Sequence, residues 1–163
     1  MRSGCSVWSN TWCDVSYTIA VPAGVAVRAS AGGGGLRFEG IDGDIDASSS
    51  GGGIRVIGAR GHLNLDSSGG GVRGDDLHSS VVDVGSSGGG VRLSFTDPPT
   101  AVRVGSSGGG VTIEVPQGYA FNIDAHSSGG GVDVSGVAHD PGSSRTITAD
   151  SSGGGVTIRY RAD

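Results

Sequence analysis

Ser67-Ser68-Gly69-Gly70-Gly71-Val72 decides how this chain is read, because the same phrase returns along its length. Its other copies end at Ile54, Val91, Val111, Val132 and Val156, and a degenerate copy, Ala31-Gly32-Gly33-Gly34-Gly35, ends at Leu36. Measured between these terminal apolar residues, the intervals are 18, 18, 19, 20, 21 and 24 residues. A unit that recurs at such a period is one coil of a stack: it cannot bury its apolar side alone and does so against its neighbours.

The residues on either side of the phrase give the coil its shape. Nine residues before each terminal apolar residue stand Val27, Ile45, Leu63, Val82, Val102, Ile123 and Ile147. Seven before stand Ala29, Ala47, Leu65, Val84, Val104, Ala125 and Ala149. Between these two files runs a polar one: Arg28, Asp46, Asn64, Asp83, Arg103, Asp124 and Thr148. Apolar residues two apart with a polar residue between them mark a strand with one face buried. The alternation resumes after the glycines, in pairs such as Ile54 and Val56, Val91 and Leu93, or Val156 and Ile158. The variation in length falls beyond these second strands, at Pro98-Pro99, at Pro116 and in the segment 138–144. One corner of the coil is therefore fixed, while another admits insertions.

Glycine at the fixed corner needs a cause, since each costs about 0.5–1 kcal/mol relative to alanine in ordered structure. Two causes are open: a positive φ, or a neighbouring coil that leaves no room for a Cβ. The serines beside the glycines are expected to form files, among them Ser67, Ser86, Ser106 and Ser127, with hydroxyls bonding from coil to coil. A flexible Ser/Gly linker is the competing reading. It does not account for two flanking strands that keep register through every copy.

The expectation is an all-β fold: a right-handed parallel β-helix, or β-solenoid, of about seven to eight coils of 18–24 residues. Residues 15–163 form that single domain, and residues 1–14 form an N-terminal cap segment containing Cys5 and Cys13. Trp8 and Trp12 are expected to cover the first coil. The last repeat, Val156–Tyr160, is expected at the far end, thinly capped; there either the chain continues as part of a longer protein or the end pairs with another subunit. Hence end-to-end self-association is an expected partner mode.

Composition narrows function by exclusion. Eleven arginines and no lysine stand against sixteen acidic residues, for a net charge of −5, which argues against general nucleic-acid or anionic-membrane binding. No apolar run is long enough to span a bilayer. Met1-Arg2-Ser3-Gly4-Cys5 leads into polar sequence rather than the apolar stretch of a signal peptide. Two cysteines are too few for a structural zinc site. A Cys5–Cys13 disulfide outside the cytoplasm is the favoured reading, with two free thiols in a reducing compartment as the alternative.

The run from Cys13 to Val27, Cys-Asp-Val-Ser-Tyr-Thr-Ile-Ala-Val-Pro-Ala-Gly-Val-Ala-Val, resembles the bacterial β-strand-repeat adhesin family, a domain of unknown function. So do the returning Ser-Gly corners and the second Val-Pro-x-Gly at Val115–Gly118. The resemblance implies a right-handed parallel β-helix, in many relatives held outside the cytoplasm by an N-terminal membrane anchor. It implies no catalytic residues. This chain departs from the pattern in carrying glycine where relatives carry Asp or Asn at the corner. Together with the cysteine pair, the resemblance favours an extracytoplasmic or cell-surface setting; a cytoplasmic one stays open.

Among candidate site residues, Arg37, Arg55, Arg73 and Arg92 each follow the terminal apolar residue of a repeat and would form a row about 4.8 Å apart. Like charges that close need partners. These come either from an anionic ligand such as a polysaccharide or polyphosphate, or from neighbouring carboxylates such as Glu39 and Asp75. Asp42-Gly43-Asp44-Ile45-Asp46 resembles a calcium loop but lacks the closing Glu of an EF-hand, and the repeats lack the Asp of the calcium β-roll. No metal, cofactor or catalytic set is assigned. Asp75, Asp76 and Asp83 with His78 are the nearest approach to a catalytic cluster, and no nucleophile elbow is present. Thr112, Thr146, Thr148 and Thr157 do not make the flat array of an ice-binding face. The chain is therefore expected to be a non-enzymatic adhesin-like or structural module of the cell envelope, with a surface protein or polysaccharide as partner. The alternative is a β-helix that binds or cleaves carbohydrate or polyanion.

Overall fold

Alternation of apolar and polar residues yields strands throughout the computed structural model, which describes residues 18–162. Cys5, Cys13, Trp8, Trp12 and the rest of the cap segment lie outside the described residues. In chain order the strands are β1 (Val27–Ala31), β2 (Leu36–Glu39), β3 (Ile45–Ser49), β4 (Ile54–Ile57) and β5 (Leu63–Ser67). There follow β6 (Val72–Leu77), β7 (Val81–Ser86), β8 (Val91–Phe95), β9 (Ala101–Ser106) and β10 (Val111–Val115). The chain closes with β11 (Ala120–Ser127), β12 (Val132–Asp133), β13 (Ala138–His139), β14 (Thr146–Ser151) and β15 (Val156–Tyr160). No helix occurs among the described residues, and every strand pairing is parallel, as a β-solenoid requires.

The strands form two sheets. One runs β1-β3-β5-β7-β9-β14-β11-β13 and the other β12-β15-β10-β8-β6-β4-β2. A strand of the first sheet crosses at each Ser-Gly corner to a strand of the second, and such a pair makes one layer. The files read from sequence stack in register: Ile45 pairs with Leu63, Leu63 with Val82 and Val82 with Val102. In β5, Leu63, Leu65 and Ser67 are buried while Asn64 and Asp66 are exposed. The inward residues of both sheets meet in one continuous core, with Phe95 and Phe121 among its largest fully buried side chains.

The corner resolves the question of glycine. Positive φ occurs at Gly24, Gly40, Gly58, Gly118 and Gly136, none of them in a Ser-Gly corner. Close approach is the cause: a Cβ on Gly70 would lie 2.4 Å from the Gly53 nitrogen, and one on Gly71 would lie 2.6 Å from the Gly90 oxygen. The first serine of the pair turns inward. Ser67 Oγ lies 2.6 Å from the Gly70 carbonyl oxygen of its own corner and 3.1 Å from that of Gly52 in the preceding layer, sharing one proton between them. Ser86, Ser106 and Ser151 reach back to the preceding layer in the same way. The second serine faces outward.

The order of layers corrects one expectation. The last repeat does not sit at the end of the stack: β14 pairs with β9 on one side and β11 on the other, and β15 lies between β10 and β12. The file of inward serines therefore runs Ser67, Ser86, Ser106, Ser151, Ser127. The physical means is the longest interval, 24 residues. After β12 the chain pairs β13 with the outer edge of β11 at Ala120 and Phe121, then returns inward. Ser143 Oγ donates to the Ala120 carbonyl at 2.9 Å, Asn122 N–H donates to the Arg145 carbonyl and Thr146 N–H to that of Thr100. Tyr160 fastens the inserted layer. Its hydroxyl donates to the Tyr119 carbonyl at 3.1 Å and accepts the Ala138 N–H at 3.0 Å.

Candidate functional site

Arginine occupies the first outward position of β2, β4, β6 and β8 because its neighbours on either side are committed to the core or the corner. Register then aligns Arg37 with Arg55, Arg55 with Arg73 and Arg73 with Arg92. The row continues through Thr112 and Thr157 to Asp133. The predicted alignment is present, and so are carboxylates beside it. Arg37 is paired with Glu39, and Asp75 receives both Arg55 at 3.1 Å and Arg73 at 2.9 Å. The hydrogen bond and charge of Asp75 hold the Arg73 guanidinium protonated even more firmly than usual. Arg92 has no ion-pair partner among the described residues, since Asp75 serves Arg55 and Arg73. Arg73, Arg92 and Thr112 stand around a shallow groove of about 440 Å³ whose floor is Gly71, Gly90 and Gly110.

The acidic candidates separate. Asp83 lies on β7 in the first sheet, whereas Asp75 and Asp76 lie on β6 in the second. Asp76 adopts a φ of 52° and receives Arg161, 85 residues away, at 2.6 Å. His78 Nδ1 lies 2.7 Å from an Asp97 carboxylate oxygen. Of the suspected calcium loop, Asp42 meets Arg60 at 3.2 Å and Asp44 accepts the His62 N–H at 2.8 Å, so the two carboxylates serve different partners. Thr112 and Thr157 are the one pair of the four threonines brought face to face in this file.

Sequence reasoning missed a second groove, of about 430 Å³, on the first sheet. Its outward file runs Asp66, Gly85, Gly105, Asp150, His126. Gly85 and Gly105 remove side chains from the middle of the file, and the outward serines Ser68, Ser87, Ser107 and Ser152 line one side. The signal was present in Gly85 and Gly105, which precede the serine pair where other repeats carry Ser48, Asp66, His126 or Asp150. The Asp66 carboxylate bends over Gly85, where a Cβ would lie 2.4 Å from its oxygen.

Comparison with family models, curated proteins and solved structures returned no match. Function must therefore be argued from the geometry of this chain.

Proposed function

We propose that this chain is a rigid, non-enzymatic rod: a right-handed parallel β-helix of seven coils, serving as a structural or adhesin-like module of the cell envelope. Right-handed winding is the rule for parallel β connections. Seven coils at about 4.8 Å put the rod on the order of 30–35 Å long. One observation carries the reading: corner backbones meet from layer to layer, Gly70 against Gly53 and Gly109 against Gly90, with one continuous apolar core behind them, in which Leu77 fills the space left at Gly74. Such a shaft resists bending, because each layer bonds through both sheets and the corner at once. The membership in the bacterial β-strand-repeat adhesin family belongs to this proposal and rests on the residue patterns quoted above. Small-angle scattering tests the shape. The monomer profile should match that of a seven-layer stack about 30–35 Å long, and a profile that this stack does not fit would overturn the reading.

A second reading has its own observation. The Arg73–Arg92 groove presents one arginine without an acidic partner beside an outward threonine, a setting suited to a carboxylated or sulfated polysaccharide. Binding to a panel of anionic glycans that drops at least tenfold when Arg73 and Arg92 are changed to Ser supports it. Binding that survives those changes removes it.

A further inference from the structure

Among the described residues, the four large exposed apolar side chains, Ile19, Val25, Tyr119 and Val132, belong to the first and outermost layers or to the segments leading into them. The core behaves alike. Members of each apolar file are buried inside the stack, whereas Val27, Ala29 and Leu36 at one end and Ile123, Ala125 and Val134 at the other are only half-buried. Glycine repeats the pattern. In inner layers the middle corner glycine faces backbone of the preceding layer and the last one faces backbone of the next. At the ends, Gly34 and Gly131 occupy these same positions with nothing within 4 Å of a Cβ and no positive φ. Among the described residues of a single copy, neither glycine meets the steric cause that the inner ones have.

Charge supplies the complement. The outward file of the first sheet starts at Arg28 and finishes at Asp124. That of the second starts at Arg37 and finishes at Asp133. At the β1 end, an Arg and an Asp one strand apart in the first of these files already pair: Arg28 meets Asp46 of its own chain at 2.9 Å. Across one strand of the second sheet, Arg159 and Glu114 do the same. All strands run parallel, so continuing the stack by one more step presents β1 and β2 to β11 and β12 in the correct direction.

We infer that the β11–β12 end binds the β1–β2 end of a second copy of this chain, head to tail, with Arg28 set against Asp124 and Arg37 against Asp133. This deepens the proposed reading and rests on it, since only a straight rod gains length this way. A head-to-tail contact does not close on itself and generates open filaments. The junction is weaker than an internal layer for two reasons. Ala31 stands where inner layers have a serine reaching back to a glycine carbonyl, so that bond is missing. In addition, β13 occupies the edge of β11 at Ala120 and Phe121, and His139 Nδ1 accepts the Ile123 N–H at 3.1 Å. Contact is left to the second half of β11, the corner and β12. The assembly is accordingly reversible and concentration-dependent.

Sedimentation velocity on the full chain tests the inference. Wild-type protein should show dimers and longer species that grow with concentration. Gly131→Leu places bulk where a single copy has free space, so it should leave melting unchanged and weaken association at least tenfold. Asp124→Arg with Asp133→Arg should abolish association, as should Arg28→Asp with Arg37→Asp. Mixing the two charge-reversed proteins should restore it. Wild-type protein that stays monomeric up to about 1 mM, a concentration that would reveal even millimolar affinity, overturns the inference. So does association that Gly131→Leu leaves intact, or a mixture that stays monomeric. A monomer whose scattering fits the seven-layer stack sinks the assembly alone; a monomer whose scattering does not fit it sinks the rod itself.

Discussion

At the scale of single residues, space around glycine decides the outcome of substitution. Gly70→Ala drives a Cβ to 2.4 Å from the Gly53 nitrogen and 2.6 Å from the Gly52 carbonyl carbon, backbone atoms of the preceding layer that cannot swing away as a side chain would. Overpacking of this kind costs about 1–3 kcal/mol. Gly105→Ala meets nothing within 4 Å and its φ is not positive, so it should stabilise by about 0.4–1 kcal/mol through loss of unfolded-state freedom. Chemical denaturation of the two variants should move in opposite directions. The periodicity marked Gly70 as special but not in what sense, because crowding by a neighbouring layer depends on residues about eighteen positions away, and it passed over Gly105. A residue-scale titration follows from Asp133, whose carboxylate is held below the usual range by the hydroxyl and N–H of Ser135. Its contribution to stability is present above the ordinary Asp value of about 3.9 and is lost as pH falls through the lower folded value. Carbon-detected NMR titration should place Asp133 below the ordinary Asp value, and Ser135→Ala should bring it back up.

At the scale of elements, the strands and their faces were legible because period-two alternation is a local property. Their order was not. Every repeat offers the same apolar pair, corner and outward file, so β11 would match β9 as well as β14 does. What selects the inserted arrangement lies outside the repeats, in the 135–145 segment, in Tyr160 and in the Arg145 guanidinium 5.1 Å from the centre of the Tyr119 ring. The arginine row was legible for the same reason as the strands. Its neutralisation was only partly so, because Asp75 stands two residues along the same strand from Arg73 but a layer away from Arg55. Cysteine pairs distinguish the two orders in a background with Cys5 and Cys13 changed to Ser. Arg103→Cys with Thr148→Cys places the pair on adjacent strands in register, within the Cα separation of about 4.4–6.8 Å that a disulfide needs. Arg103→Cys with Asp124→Cys sets the pair two strands apart, about 9–10 Å, out of reach. The first pair should oxidise readily and the second should stay reduced. The reverse result would show the repeats stacked in chain order.

At the scale of the whole molecule, stability should follow position in the stack rather than position in the sequence. Repeat proteins hold together through nearest-neighbour interfaces, so an end layer has one interface and opens first. In a solenoid wound in simple order, the end layer would contain the last residues of the chain. Here β14 and β15, which approach the C-terminus, have neighbours on both sides, while β11 and β12 are outermost apart from the two residues of β13. Ile147 and Val156 are fully buried, whereas Ile123 is half-buried and Val132 is 43% exposed. Hydrogen exchange under native conditions should therefore find the amides of β14 and β15 protected to nearly the same degree as those of β9 and β10. The amides of β12, β13 and the second half of β11 should exchange orders of magnitude sooner. Fast exchange confined to residues 146–160 would mean that the last repeat is not held inside the stack. Protection of β11 and β12 that rises with protein concentration would mean instead that their open edge is being covered by another copy, linking local opening at this end directly to filament growth.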